Sequence, residues 1–172
     1  MSRPYLASED SALLRGVLGT CSGGSALEIG AGNCGNLVVL ATGFETVVGT
    51  DIIMPEMTDW RISGSNLVMA DGASCLRSGS FDLVAFNPPY LPAEVADDPT
   101  TEGGAALEVP MRFLRDALRA VKLTGRIVIL LNDQAPMGEF ETECSRHGFT
   151  LAKVATRHLF FEELSVYEAT AL

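Results

Sequence analysis

The chain has few of the residues that would mark it as secreted, metal-built or polyanion-binding. Its 172 residues hold four cysteines, Cys21, Cys34, Cys75 and Cys144, with no C-x-x-C pair and no metal-ligand spacing to His147 or His158. A metal site of that kind and a disulfide framework are both excluded, and the cysteines read as reduced thiols packed like small hydrophobes. Basic residues are scarce as well: 12 Lys and Arg stand against 22 Asp and Glu, a formal net charge of −10. That balance opposes attraction to a phosphate backbone and disfavours a nucleic-acid substrate. The nearest thing to a basic stripe is Arg112, Arg115, Arg119 and Lys122 at helical spacing. It reads as a solvated helix face, with docking of an acidic partner or of RNA as the sharper alternative. No apolar run approaches the length that spans a bilayer, and Met1-Ser2-Arg3-Pro4-Tyr5 lacks the apolar core of a signal peptide. A soluble, cytoplasmic protein is expected, without internal repeats or low-complexity tracts.

What is present is an alternating pattern. At 47% apolar residues the chain can bury a substantial core as one domain over residues 1–172. A helix is expected at 8–18, capped by Ser8 or Asp10 and burying Leu13, Leu14, Val17 and Leu18, with Cys21-Ser22-Gly23-Gly24 breaking it. Strands are expected at 25–29, 46–50, 66–70, 81–86, 126–131, 149–155 and 164–169, and helices at 36–41, 111–122 and 136–147. A short helix or turn is expected at 55–59, and Leu123-Thr124-Gly125 reads as a helix stop. Strands and helices alternate until the last two strands, whose short link favours an antiparallel hairpin. Such alternation implies a mostly parallel α/β sheet covered on both faces, with ligands above the carboxyl ends of the strands. The polar stretch 91–104 is long for a connection and reads as a binding loop or lid.

Two motifs carry chemistry. Asn87-Pro88-Pro89-Tyr90 closes the apolar run of the fourth strand, where two prolines stop it from continuing as strand or helix. The Asn87 amide oxygen and the Pro88 carbonyl are two acceptors without nearby competing donors, Pro89 holds the turn, and Tyr90 adds a flat face. Together they form a cradle for a planar NH2 group; the bland alternative is a surface turn. The second motif joins Glu28, Gly30, Ala31 and Gly32 after the first strand to Asp51 and Ile52 at the end of the second. Glycines there permit a tight bend and close ligand approach, while an acid about 20 residues on can bond ribose hydroxyls. Asp71 and Gly72 follow the third strand, with a plain Asp-Gly turn as the alternative reading. Glu28 lies in an apolar strand, where an unpaired carboxylate is costly, so it should face the ligand rim or keep a structural partner.

These motifs together resemble the class I S-adenosylmethionine-dependent methyltransferases, and within them the group that methylates planar amide or amino nitrogens. More narrowly the chain resembles the short archaeal and eukaryotic branch of the HemK-type protein-glutamine methyltransferases, which modify the Gly-Gly-Gln loop of peptide chain release factors. The likeness extends over residues 5–14, including Glu9-Asp10-Ser11 and Leu13-Leu14, and over Leu159-Phe160-Phe161-Glu162-Glu163-Leu164. It departs at Ala7, where the family has proline, and at Gly103-Gly104-Ala105-Ala106, a partial match to a glycine-richer stretch. The resemblance implies a Rossmann-like seven-stranded sheet of order 3-2-1-4-5-7-6 with strand seven antiparallel. It implies S-adenosyl-L-methionine as cofactor, held by Tyr5, Ser11, Glu28, Gly30, Ala31, Gly32, Asp51, Ile52, Asp71, Gly72 and Asn87, with residues 1–24 a helical segment contributing to that site. It further implies a small zinc-ribbon activator protein pairing with the third strand near Leu67-Val68-Met69, an apolar edge that a lone subunit would have to protect. The cradle itself does not separate a glutamine amide from an adenine amino group or a lysine, and a non-catalytic scaffold on the same fold is the reading from another class.

Overall fold

The computed structural model describes residues 9–53, 65–89, 108–159 and 163–172. Residues 1–8, the turn expected at 55–59, Tyr90 and the loop expected at 91–104 lie outside them. Seven strands form one sheet: β1 (Gly23–Ile29), β2 (Phe44–Asp51), β3 (Asn66–Met69), β4 (Phe81–Phe86), β5 (Val121–Asn132), β6 (Phe149–His158) and β7 (Glu163–Ala171). Their order is β3-β2-β1-β4-β5-β7-β6. Every pairing is parallel except those of β7, which runs antiparallel to β5 and β6. This is the order and orientation that the resemblance implied.

The helices are α1 (Glu9–Leu18), α2 (Gly35–Leu40), α3 (Glu108–Ala120) and α4 (Met137–Arg146). Side chains alternate across a strand, so a sheet covered on both faces needs apolar residues at odd and even positions alike. In β4, Val84 and Phe86 join Leu114, Leu118 and Phe140 in one core, while Leu83 and Ala85 join Leu14, Leu18, Leu37 and Leu40 in the other. β5 divides in the same way, Ile127, Ile129 and Leu131 against Val128 and Leu130. Helices α3 and α4 therefore cover one face and α1 and α2 the other. Of the four residues expected to be buried in α1, Leu14 and Leu18 are fully buried and Leu13 and Val17 partly so.

Two expectations fail here. Leu123-Thr124-Gly125 is not a helix stop: α3 ends at Ala120 and the chain enters β5 at the next residue. Phe81 faces Val121 but Leu83 faces Arg126, so residues 122–125 bulge from the ladder. The bulge serves a pin across three strands: Lys122 Nζ donates to Asp82 Oδ1 (2.7 Å), while the Ser25 backbone N–H donates to Asp82 Oδ2 (2.8 Å). The lysine hydrogen bond in turn holds the Asp82 carboxyl below its ordinary value. Second, strands and helices do not alternate throughout, since residues 70–80 between β3 and β4 contain turns and no helix.

Gly125 is a glycine because backbone crowds it. A Cβ there would lie 2.7 Å from Val121 Cγ2, 2.8 Å from the Asp82 carbonyl and 3.0 Å from the Phe81 carbonyl. Two of those neighbours are main chain of the central strand β4 and cannot turn aside. Gly125→Ala is expected to destabilise the protein by about 1–3 kcal/mol through overpacking, measured as a lower urea midpoint with an unchanged slope.

Candidate functional site

The candidate residues fall in one row along the carboxyl rim of the sheet. Ile29 is registered against Thr50 of β2 and Phe86 of β4, and Asp51 against Met69 of β3. Gly30, Asp51, Asp71 and Asn87 thus stand at or just past the ends of four adjacent strands, neighbours being about 4.8 Å apart. Pro88 is buried and Pro89 half-buried behind Asn87. Ser11 lies in α1; Tyr5 and Tyr90 lie outside the described residues.

The bend after β1 is held by β2. Backbone N–H groups of Gly30 and Ala31 both donate to the Thr50 carbonyl, at 2.8 and 2.9 Å. Gly30 and Gly32 have φ of 75° and 49°, and Cys34 is left-handed as well at 61°. The first two occupy a region costly to residues with a Cβ. A Cβ on Gly32 would meet nothing within 4 Å among the described residues. Asp51 closes the arrangement: Oδ2 accepts from the Gly32 N–H (2.8 Å) and Oδ1 from the Ile53 N–H (2.9 Å). Ile52 beside it is 54% exposed, an apolar side chain left at the rim.

Glu28 is the site's most perturbed group. It is 2% exposed, and Oε1 accepts from Asn36 Nδ2 of α2 at 2.6 Å. Oε2 has no hydrogen-bond partner among the described residues, and neither do the buried Asn36 Oδ1 and Thr50 Oγ1. Burial pushes the Glu28 carboxyl up from 4.5 to about 8; the Asn36 hydrogen bond opposes this, the Asp51 charge adds to it and Arg15 lowers it. Buried polar atoms without partners are rare and call for an explanation. A glycine bend, a two-oxygen acid and an unsatisfied buried carboxyl fit a ligand that carries ribose hydroxyls and an ammonium group. Sequence reasoning missed Asn36, though a lone amide in the helix Gly-Asn-Leu-Val-Val-Leu was a signal.

Past the end of β3, Asp71 is ion-paired with Arg112 Nη1 of α3. The expected solvated helix face holds for Arg112, Arg115 and Arg119, whose side chains are 36–61% exposed with an acid beside each, whereas Lys122 lies in β5. Arg115 reaches Glu143 (3.2 Å), Arg119 reaches Asp116 (3.8 Å) and Lys122 reaches Asp82 (2.7 Å). Gly72 has φ of 59°, and Asp116 Oδ2 stands where its Cβ would be, accepting from the Ala73 N–H at 2.8 Å. Phe113, between these arginines, packs edge-on to Phe86 with ring centroids 6.1 Å apart and lies against Gly30. No periodicity rule identified Phe113, Asp116 or Arg112 as neighbours of the rim.

No protein-family model matches the chain, and no curated protein sequence matches it. Solved structures do. A chain of the Mtq2–Trm112 complex of E. cuniculi, responsible for methylation of the eRF1 translation termination factor, matches with a TM-score of 0.78 and 26% identity, covering 98% of each chain. The Streptococcus mutans protein SMU.1697c, in complex with SAH, matches at 0.66 with 16% identity over 100% of this chain and 99% of that one. The Burkholderia thailandensis 1,6-didemethyltoxoflavin-N1-methyltransferase, bound to its namesake compound and S-adenosylhomocysteine, matches at 0.59 with 14% identity over 95% and 77%. The chain has the fold of the class I S-adenosylmethionine-dependent methyltransferases. The acceptors named for these relatives range from a translation factor to a small heterocycle, so the fold by itself does not choose among them.

The buried carboxyl of Glu28 has a pH signature. A carboxyl whose folded value is raised favours folding at low pH, and that contribution is lost as pH rises from the unfolded value to the folded one. Between pH 4.5 and 8 Glu28 should therefore lower the stability of the ligand-free protein by up to about 1.4 kcal/mol per pH unit. Glu28→Gln is expected to remove that slope, read as a flatter urea midpoint against pH than the unsubstituted protein shows.

Proposed function

We propose that this protein is an S-adenosylmethionine-dependent methyltransferase that methylates the side-chain amide nitrogen of a protein glutamine, in the Gly-Gly-Gln loop of a peptide chain release factor. The observation that carries the reading is the adjacency of β1 and β4: the glycine bend and Asn87-Pro88-Pro89 leave neighbouring parallel strands at the same rim. The 26% likeness to the E. cuniculi chain over nearly its whole length supports the choice of acceptor.

In this reading Asp51 holds the ribose hydroxyls, Asp71 with Gly72 lies at the adenine, and Glu28 faces the amino acid end. Gly30, Ala31 and Gly32 supply the backbone bend between them, Ile52 lies against the adenine, and Tyr5 and Ser11 belong to the opening segment over the cofactor. When bound, S-adenosylmethionine supplies an electrophilic methyl whose departure turns a sulfonium into a neutral thioether. Asn87 and Pro88 then have the harder task, because an amide lone pair is delocalised into its carbonyl and attacks poorly. The Asn87 side-chain oxygen and the Pro88 carbonyl accept the two N–H bonds, direct the lone pair in line at about 3–3.5 Å from the methyl carbon, and stabilise the charge that develops on nitrogen. One of those N–H protons then passes to solvent water, and the product is a neutral secondary amide. Pro89 fixes the turn and Tyr90 packs on the planar group.

Asn87→Ala is expected to lower kcat about 100-fold or more, a loss far larger than its effect on cofactor affinity by calorimetry; turnover within threefold of the unsubstituted protein would sink the cradle account. A methylation assay should run a release factor, its Gly-Gly-Ala variant, and an adenine-containing RNA side by side. Methyl transfer to the first alone supports glutamine, transfer to RNA supports the adenine reading, and transfer to a lysine of both proteins supports the third. A scaffold would bind no cofactor in the calorimeter.

The same reading includes a zinc-ribbon activator protein on β3 and a cytoplasmic setting. β3 is the sheet's edge on that side, Met69 is 69% exposed, and Ile52 and Ile53 add exposed apolar surface next to it. An open strand edge of that kind is a template for strand pairing. Hydrogen exchange at residues 66–69 is expected to slow when the activator is added, and equal protection in both states would relocate the contact.

A further inference from the structure

The connection from β3 to β4 has no helix of its own and is fastened by α3 instead. Asp116 accepts from the Ala73 N–H, Arg119 donates to the Ala73 and Leu76 carbonyls, and the Gly79 and Ser80 N–H groups donate to the carbonyls of Arg119 and Ala120. Those bonds secure the loop's backbone. Arg112, one turn before Asp116 on the same side of α3, has a different partner: the Asp71 side chain, in a pair whose two members are 44% and 56% exposed. Exposed pairs contribute little to folding, and this loop is already held without it. Arg112 is nonetheless held on its other side, its guanidinium carbon 5.8 Å from the centre of the Phe113 ring, and Phe113 lies against Gly30 at the glycine bend.

We propose that Arg112 is a positioning residue for cofactor selection, fixing the Asp71 carboxylate by one oxygen so that the other is aimed to accept from the exocyclic amine of an adenine. The inference rests on the cofactor reading above. Arg112 Nη1 donates to Asp71 Oδ2, so Oδ1 takes no part in that contact. An exposed aspartate free to rotate loses that freedom when a ligand binds, whereas one held beforehand has lost it already, which raises affinity without a new contact. The gain exists only for a ligand that donates at that position, so Arg112 acts on selectivity for the purine and not on the methyl transfer.

The test compares Arg112→Gln, Arg112→Lys and the unsubstituted protein by calorimetry with S-adenosylmethionine and with the analogue whose purine lacks the 6-amino group. Arg112→Gln is expected to weaken S-adenosylmethionine binding about three- to fivefold, the size set by an exposed ion pair, to leave analogue binding and the melting temperature unchanged, and to raise KM without changing kcat. Arg112→Lys should recover part of the loss. Equal weakening of both ligands, or no weakening of either, overturns the inference. An unsubstituted protein that binds neither ligand overturns the cofactor reading and this inference with it; one that binds normally while Arg112→Gln matches it overturns this inference alone.

Discussion

Parallel pairing on both sides of β1 is the constraint from which the site follows. The ladders place Glu28 opposite Gly49 and Ala85, and Ile29 opposite Thr50 and Phe86, so three chains leave the sheet at the same level and in the same direction. From β1 the chain passes over one face through α2; after β4 it returns over the other through α3. Where the two connections part is the place at which open α/β sheets have their ligand crevice. A slip of one residue in β1 would turn Glu28 onto the opposite face and pull the glycine bend out of the row. The apolar residues that fill both cores are what forbid that slip.

Much of this was legible because a strand buried on both faces writes itself as a nearly continuous apolar run. Phe81, Leu83, Val84, Ala85 and Phe86 have their expected boundaries, since Gly79-Ser80 before them and two prolines after them leave little choice. The row of site residues was legible for a related reason: each is the first polar or turn-forming residue after such a run. The topology order came from the likeness to a family and not from the pattern, because alternation says nothing about which strand neighbours which.

What the sequence hid is long-range. Leu123-Thr124-Gly125 has the composition of a helix terminus, and only the backbone of β4, which the sequence does not place, makes Gly125 a crowding solution inside a strand. The arginines of α3 have the spacing of a solvated face because charge periodicity records which side of a helix is polar and not whether acids from elsewhere meet it. Asp71 and Glu143 meet Arg112 and Arg115 from outside the helix, Asp116 meets Arg119 from within it, and Asp82 meets Lys122 of β5. The charges of the stripe are paired within the molecule while their side chains stay open to solvent.

The helix-free passage between β3 and β4 carries a mechanical meaning. With its turns bonded to Asp116 and Arg119, this passage moves with α3 as one body, and α3 packs through Leu114 and Leu118 onto the central strands. One wall of the crevice is therefore as stiff as the sheet. Such a wall discriminates by refusing shapes and not by yielding to them.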